Sequence, residues 1–217
     1  MATHCGVCLL PSTATMRSNQ LNRGDWLAEA TRALVEGGVE LVQITELARR
    51  LEITRGSFYW HFENRDALLG ALLQTWRQRN TGVMLTALGK AQTLDDGLLA
   101  LFAVWVDNAL FDPDLDQAVR DWGRRSEDVL LAVQAEEAAR VDAISTFFQS
   151  HGFDPTEAFI RARVTYFTQI SFYALKTKDT AAQRVSYLDS YFKCFIGRSA
   201  DPAAKAAFLE HIQETLE

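Results

Sequence analysis

The sequence contains only three cysteines, Cys5, Cys8 and Cys194, among its 217 residues. An odd number with one member far from the others is not a disulfide framework, and reduced thiols are typical of cytoplasmic proteins. Cys5 and Cys8 have CxxC spacing, but no second pair and no histidine pair completes a tetrahedral zinc site. We therefore expect no metal site and a cytoplasmic location.

Long apolar runs and familiar catalytic patterns are also missing. Charged or amide side chains interrupt every apolar stretch well before the roughly 20 residues that a membrane span needs. No secretory signal is expected, because no basic flank precedes a continuous apolar region near Met1. The Walker A, GxGxxG, HExxH and GxSxG patterns do not occur. We expect no membrane partner, no cofactor and no catalytic residue.

Only four prolines occur, and three of them directly follow an aspartate, at positions 113, 155 and 202. Aspartate is a favoured helix N-cap, and proline fits the first helical position. Apolar residues between these pairs follow helical spacing, and no alternating stretch indicates a sheet. The sequence therefore predicts an all-α fold, with helices at 23–37, 44–51, 55–61, 64–88, 94–110, 113–122, 126–151, 155–177, 180–197 and 202–216.

Negative charge is concentrated in the second part of the chain. The net charge is -6, whereas residues 1–65 contain seven arginines and seven acidic residues and balance to zero. An acidic protein is not drawn to DNA by its net charge. Any DNA binding must therefore depend on a local surface and on dimerisation.

Residues 44–61 have the pattern of a helix-turn-helix. The apolar residues of 44–51 recur at i, i+3, i+4 and i+7, which predicts one buried face of a two-turn helix. After a three-residue connector, Thr54 can cap a second short helix that buries Phe58 and Phe62. Two short helices joined by a tight turn and packed under a third form a helix-turn-helix motif.

Helical geometry turns Tyr59 and Trp60 away from the buried Phe58 stripe, so these aromatics cannot all share one core. Alternatively, either aromatic could be a core residue, and Arg65 could belong to a solvated ion pair with Glu63 or Asp66. Hydrogen-bond donors on the outer face would suit phosphate oxygens, and an arginine there could also read a guanine edge. The predicted donors are Arg55, Ser57, Tyr59 and His61, although His61 could be a plain surface residue.

The segment 54–68 closely resembles the signature of the TetR family of transcriptional regulators. The family pattern is a small hydroxyl residue, any residue, glycine or proline, serine or threonine, an apolar residue, tyrosine, an aromatic or polar residue, histidine and phenylalanine, then a basic residue that opens the next helix. The resemblance implies phosphate contacts by Thr54, Tyr59, His61 and Arg65. It implies that the bases are faced by Arg55, Gly56, Ser57 and Trp60. Thr45 completes the set of predicted DNA-binding residues.

Two residues depart from the family pattern. Glu52 stands where the family usually has glycine, and a non-glycine residue with positive φ costs about 1 kcal/mol. Gln43 occupies the usual threonine cap position, so the first helix of the motif is weakly capped, although Glu46 could help at its N-terminus.

Residues 1–20 lack helical periodicity and are rich in threonine, serine and asparagine, which predicts a disordered arm in which Met16 could be the native start. The resemblance implies that residues 21–66 form the helix-turn-helix domain and residues 67–217 a helical ligand-binding and dimerisation domain. The implied function is that of a repressor, acting as a homodimer on palindromic double-stranded operator DNA and released by a small apolar or aromatic effector.

The second part of the chain offers aromatic clusters and no motif. Aromatic walls with few polar groups are typical of an apolar effector site, although the same residues could simply fill a helical core. The residues predicted to line such a site are Phe102, Trp105, Trp122, Tyr166 and Gln169. A broad apolar stripe on the last helices predicts a dimer interface that includes Phe159, Leu188, Tyr191, Phe192 and Phe195.

The sequence is also compatible with two other functions. The chain could be a non-catalytic helical scaffold whose surface aromatics bind another protein. Folding could also gather His151 with a carboxylate such as Glu127 or Asp142 into an unrecognised catalytic site, although nothing local in the sequence requires it.

Overall fold

The computed structural model of the protein describes residues 21–216, and this part of the chain is helical without any β-strand. The predicted all-α fold class is confirmed. In chain order within this range, the helices are α1 Arg23–Gly37, α2 Ile44–Arg50, α3 Arg55–Phe58, α4 Arg65–Trp76, α5 Val83–Lys90, α6 Leu94–Val106, α7 Pro113–Gly123, α8 Glu127–Ser150, α9 Pro155–Ala174, α10 Ala181–Ser186, α11 Leu188–Ile196 and α12 Pro202–Leu216.

The three aspartate-proline pairs begin helices α7, α9 and α12, as predicted. The Oδ1 atom of Asp112 accepts the N–H of Leu115 at 2.9 Å, and that of Asp154 accepts the N–H of Thr156 at 2.9 Å. Asp201 accepts the backbone N–H groups of residues 203 and 204 at 3.0 and 2.9 Å. Local capping chemistry therefore sets these helix starts.

Four predicted helices differ from the structure. The helix predicted at 55–61 ends at Phe58, and the one predicted at 94–110 ends at Val106, where the Asp107 side chain accepts the N–H of Ala109 at 2.7 Å and favours a turn. The segment predicted as 180–197 is two helices separated at Tyr187. Between α4 and α5, residues 77–82 form a π-helix, a widened turn that sequence periodicity does not reveal.

The chain divides into two compact units after Leu72, inside α4, whereas the sequence places the boundary after Asp66. The predicted disordered arm at 1–20, with Met16, Cys5 and Cys8, lies outside the described residues. In the first unit, α1, a 3-10 turn at Val39–Leu41, α2, α3 and the start of α4 surround one small core. Its fully buried side chains are Trp26, Ala30, Ala33, Val42, Leu47, Phe58, Leu68 and Leu72.

The second unit is built around α8 and α9, which are joined by a short connection and pack along each other. Ala158 and Ala162 on α9 are fully buried, and such small side chains allow two helix backbones to approach closely. Ile144 and Phe148 on α8 belong to the same core, with residues from α6, α11 and α12. Within the described residues, no helix combines the length and apolar character needed to cross a bilayer.

Gly97 on α6 lies where that helix meets α8. A Cβ atom at this position would lie 2.1 Å from Cζ of Phe147, far inside the contact distance of two carbon atoms. Because the Phe147 ring is buried, it has little room to move aside. The close approach of α6 and α8 therefore requires glycine here.

We expect Gly97→Ala to lower the free energy of unfolding of the second unit by about 1–3 kcal/mol, because the added methyl overpacks the core. Gly89→Ala is the matched control, since a Cβ there meets no atom within 4 Å and alanine favours helix over glycine by about 0.5–1 kcal/mol. Urea titrations followed by circular dichroism measure both. Equal stability of Gly97→Ala and wild type would contradict the close approach.

Candidate DNA-binding surface and domain interior

Phe58 anchors the helix-turn-helix to the rest of the first unit. Its ring is fully buried, meets Trp26 edge-on at 5.2 Å between centroids and stacks on Phe62 at 5.6 Å. Because Phe58 points inward, the two following aromatics face solvent: Tyr59 is 55% exposed and Trp60 is 87% exposed. Neither is a core residue.

The turn between α2 and α3 keeps the left-handed conformation that glycine would favour. Glu52 has a φ of 57°, and the N–H of Ile53 closes the turn on the carbonyl of Ala48 at 3.0 Å. A non-glycine residue in this region costs about 1 kcal/mol. Glu52 therefore strains the turn.

Helix α2 lacks a side-chain cap at Gln43, as predicted, because the Gln43 amide donates to the carbonyl of Glu40 at 3.3 Å instead. Glu46 does not serve as a cap either, since its carboxylate accepts from Arg49 at 2.7 Å and from Arg50 at 2.8 Å. These hydrogen bonds lower the pKa of Glu46 to about 2. Arg50 also donates to Glu36 at 2.6 Å, which ties α2 to α1.

Helix α3 is a single turn, and Thr54 does not cap it with its side chain. The prediction of a Thr54 side-chain cap was wrong. The backbone carbonyl of Thr54 accepts the N–H of Ser57 at 3.1 Å, and its side chain makes no capping bond. The Thr54 side chain is instead exposed. Other predicted DNA-binding residues are exposed beside it or on α2 and in the turn after α3: Thr45, Arg55, Gly56, Tyr59 and Trp60, with His61 half-buried.

Ser57 and Arg65 do not occupy the positions expected from the sequence. Ser57 is buried, with 9% of its surface exposed, so its hydroxyl is not on the outer face. Arg65 donates from Nε to the carbonyl of Val42 at 2.6 Å and from Nη2 to the carbonyl of Val39 at 2.7 Å. These bonds hold the 3-10 turn, so Arg65 has a structural role and pairs with neither Glu63 nor Asp66.

Three of the five residues predicted to line an effector site do line one cavity in the second unit. Phe102, Trp105 and Gln169 surround a space of about 20 Å³, together with side chains that the sequence did not single out. The predicted Tyr166 and Trp122 do not line this cavity. Both are buried elsewhere in the second unit.

Tyr166 belongs to a buried ionic network centred on Asp116. The Oδ1 atom of Asp116 accepts from Trp76 at 2.7 Å and from Arg140 at 3.1 Å, and its Oδ2 accepts from Arg120 at 2.8 Å. The Tyr166 hydroxyl accepts from Arg120 at 3.0 Å and from Arg140 at 3.1 Å. The network joins α4, α7, α8 and α9.

Burial and ion pairing oppose each other in this network. Burial alone would raise the pKa of Asp116, but the positive charges of Arg140 and Arg120 outweigh it, so the pKa of Asp116 is lowered. For Tyr166, burial is the stronger influence and raises the pKa of its hydroxyl. Asp116 is therefore a charged carboxylate inside the core, and Tyr166 keeps its proton.

The π-helical turn brings Thr81 into contact with this network. Its hydroxyl accepts from Nε of Arg140 at 2.9 Å, and both side chains are buried. The neighbouring Asn80 donates to the carbonyl of Asp112 at 2.8 Å. The widened turn thus supplies polar partners inside the core.

The predicted dimer residues separate into two groups. Leu188, Phe192 and Phe195 are buried in the chain's own core, with at most 5% exposed, so their assignment to an interface with a partner chain is corrected. The stripe on α11 is explained by packing within one chain. Tyr191 is half-buried at the cavity, and Phe159 on α9 is 45% exposed.

Sequence reasoning missed the buried charges, although a signal for them exists. Arg184 precedes Leu188 by four residues and Tyr191 by seven, so it continues an apolar helical stripe. Arg140 likewise precedes Ile144 by four residues. A charged residue on an apolar stripe indicates a buried charge that needs a partner.

The residues that the structure describes contain no group of three or more histidine, cysteine, aspartate or glutamate side chains that could hold a metal ion. Cys194 is a free, exposed thiol. Cys5 and Cys8, the CxxC pair of the sequence, are outside the described range.

Comparison with known proteins finds similarity at the N-terminus. Residues 27–72 match the model of bacterial regulatory proteins of the tetR family. The tetracycline repressor protein class G of Vibrio anguillarum is 36% identical over 63 residues, which are 29% of this chain and 30% of that protein. The regulator TtgR of Pseudomonas putida is 34% identical over 61 residues, 28% of this chain and 29% of its own. The alignments thus span under a third of these relatives.

Solved structures resemble most of the chain at low sequence identity. Salmonella enterica GusR has a TM-score of 0.57 at 15% identity, covering 89% of this chain and 94% of that chain. The fatty acid degradation regulator FadR of Bacillus halodurans has a TM-score of 0.59 at 13% identity, covering 81% and 94%. These likenesses establish a shared fold.

Replacing Asp116 tests the buried network. We expect Asp116→Asn to lower the free energy of unfolding at pH 7 by about 3–5 kcal/mol, because Arg120 and Arg140 lose their buried counter-charge. The lowered pKa of Asp116 means that its ion pairs stabilise the fold above the unfolded pKa of about 4, and that this contribution is lost as the pH falls through the folded value. The difference between wild type and variant should therefore shrink in acid.

Asp114→Asn on the exposed side of the same helix is the matched control and should change stability by less than about 0.5 kcal/mol. Denaturant titrations between pH 3 and pH 7 provide the measurement. A pH-independent difference between Asp116→Asn and wild type would be inconsistent with an ionised Asp116.

Proposed function

We propose that the chain is a DNA-binding transcriptional repressor acting in the cytoplasm, because residues 27–72 match the model of bacterial regulatory proteins of the tetR family. In this function, the chain binds palindromic double-stranded operator DNA as a homodimer and leaves the DNA when a small apolar or aromatic effector binds. The observation that carries it is the exposed surface around α3, where Trp60 is 87% solvent-accessible.

The chemistry of this surface suits a DNA groove. Trp60 and the exposed Gly56 offer apolar contact to base edges, while Arg55 offers a fork of donors that matches guanine. The hydroxyls of Thr54 and Tyr59, with the half-buried His61, would bond phosphate oxygens. An exposed tryptophan is costly in water, so its position favours a surface that is covered in the functional complex.

A homodimer is supported by an exposed apolar stripe on α9. Phe159, Ile160, Val164 and Phe167 are 40–51% exposed and recur at spacings that place them along one side of the helix. Such a stripe on an isolated chain favours burial against a second copy. A two-fold pair would present two α3 surfaces to successive major grooves, about 34–36 Å or a multiple apart.

The second unit is the proposed ligand-binding and dimerisation domain, and the first unit the DNA-binding domain. An effector with higher affinity for dimers whose two α3 surfaces are not spaced for successive major grooves would shift the population of dimers away from the DNA-bound form. A coupling of about 1–3 kcal/mol is typical of such regulation. A binding function of this kind needs no catalytic residue.

The salt dependence of binding distinguishes DNA binding from the alternative, in which the α3 surface binds another protein. Displacing counterions from several phosphates makes DNA affinity fall steeply as the salt concentration rises. A protein complex built on exposed aromatics would depend on salt far less. Gel shifts with DNA flanking the gene at 50 and 200 mM salt distinguish the two.

We expect Trp60→Ala to weaken binding to that DNA by at least tenfold, which corresponds to about 1.4 kcal/mol. Since Trp60 is exposed, the thermal stability of the chain should stay close to that of wild type. Gel shift titration and thermal melting measure the two effects separately.

Leu175→Ala is the matched control, because Leu175 is 77% exposed in the second unit and its loss also removes an apolar side chain from the surface. It should leave DNA affinity unchanged. Equal DNA binding by Trp60→Ala and wild type would rule out the proposed surface.

The proposed dimer predicts that Ile160→Asp shifts the chain toward a monomer. Ile160 is 51% exposed, so the charge should disturb an interface and leave the fold of one chain intact. Light scattering at micromolar concentration gives the mass, and Leu175→Asp is the control for a charge placed elsewhere on the surface. A monomeric wild type would count against the operator-bound dimer.

A further inference from the structure

Arg184 is a buried cation without an acidic partner. Only 7% of its surface is exposed, and its Nη1 and Nη2 atoms donate to the carbonyl of Trp105 at 2.9 Å and to Oε1 of Gln169 at 2.8 Å. Its guanidinium also lies 4.3 Å from the ring centre of Phe172. Among residues 21–212, whose side chains the structure describes, no carboxylate forms an ion pair with it, in contrast to Arg140, which pairs with Asp116. A buried charge left in this state is costly.

Two further polar atoms near Arg184 lack hydrogen-bond partners within the described part of the chain. The hydroxyl of Thr165 and the Nε2 group of Gln169 are both buried, on residues with 1% and 7% of their surface exposed. Both residues and Arg184 line the same cavity. Buried polar groups are nearly always hydrogen-bonded, so two unpartnered groups beside a buried cation in one cavity indicate a missing polar occupant.

The rest of the cavity wall is aromatic. Phe102 and Trp105 are buried, while Phe172 and Tyr191 are half-buried and reach the surface. The volume of about 20 Å³ holds a single water molecule, so an organic ligand must displace part of the wall. Phe172 and Tyr191 are the side chains that can move into solvent, and the ligand that requires least movement is small and flat.

We propose that this cavity binds a small aromatic monocarboxylate. The carboxylate would pair with Arg184 and accept from Nε2 of Gln169 and the hydroxyl of Thr165, while its ring packs between the aromatic walls. This inference rests on the proposed function, because it names the chemical class of the effector and makes it an anion rather than a neutral apolar molecule.

The charge balance favours this class over others. One guanidinium neutralises one negative charge, and its planar donors match a carboxylate in geometry. A cation would be repelled by Arg184, and a neutral aromatic compound would leave its charge uncompensated. The aromatic walls favour a planar hydrocarbon body over a heavily hydrated inorganic anion.

Titration calorimetry with the full chain, in the absence of DNA, tests the site. The probes are benzoate, phenylacetate and 2-naphthoate, each compared with its neutral primary amide, which has nearly the same shape. We expect at least one acid to bind at least tenfold more tightly than its amide. If no acid binds at concentrations up to about 10 mM, or if every amide binds as well as its acid, the proposal is overturned.

Gln169→Glu is the decisive variant, because it places a carboxylate of the same shape beside Arg184 and satisfies the cation from within. It should abolish binding of the acid and raise the melting temperature of the ligand-free chain. Gln149→Glu, an exposed amide-to-acid change on α8, is the matched control and should bind as wild type does. Unchanged acid binding by Gln169→Glu would overturn the assignment.

Arg184→Met gives a second readout that does not depend on the stability of one variant. It should remove the preference for acid over amide, and a retained preference would assign the charge recognition elsewhere and overturn the proposal. The gel shift separates this inference from the proposed function. Acid binding with no DNA binding would contradict the proposed function and support the carboxylate site. DNA binding with no acid binding would support the proposed function and overturn the carboxylate site.

Discussion

The burial of Phe58 determines what the N-terminal unit can present to a partner. Its ring is enclosed by Trp26 and Phe62, and burial of an aromatic of this size contributes about 3–5 kcal/mol by comparison with its truncation. With that position fixed, the chain has no room inside for the next two aromatics, and Tyr59 and Trp60 face solvent. The ion pairs of Arg50 with Glu46 and Glu36 hold the cap-deficient α2 against α1.

Local chemistry made much of this fold predictable, and tertiary contacts explain the rest. Aspartate-proline pairs and apolar spacing predicted most helices to within a few residues, because capping and periodicity act over one or two turns. The outward position of Trp60 followed from the direction of Phe58. The burial of Ser57 and the bonds of Arg65 to two backbone carbonyls could not be predicted, since they depend on neighbours distant in sequence. Periodicity also cannot say whether the Leu188 stripe packs within one chain or between two.

The second unit contains two buried arginines in different electrostatic states. Arg140 lies against Asp116, so its charge is compensated and it joins helices into a stable core. Arg184 is surrounded by neutral groups, which are the carbonyl of Trp105, the amide of Gln169 and the aromatic side chains of Phe172 and Tyr173. The positive charge of Arg140 is therefore neutralised within the fold, whereas the positive charge of Arg184 can still attract an anion. Ligand binding there would stabilise the unit by supplying the missing charge.

In the proposed function, two copies of the α3 surface read DNA together. Selection of bound sequences from a random duplex pool by the wild-type chain tests it most directly, because it assumes no operator in advance. We expect an enriched palindrome whose half-sites lie one helical turn or a multiple apart, with enrichment lost in the Trp60→Ala variant. A pool that remains random after repeated rounds, or an enriched site without two-fold symmetry, would contradict it.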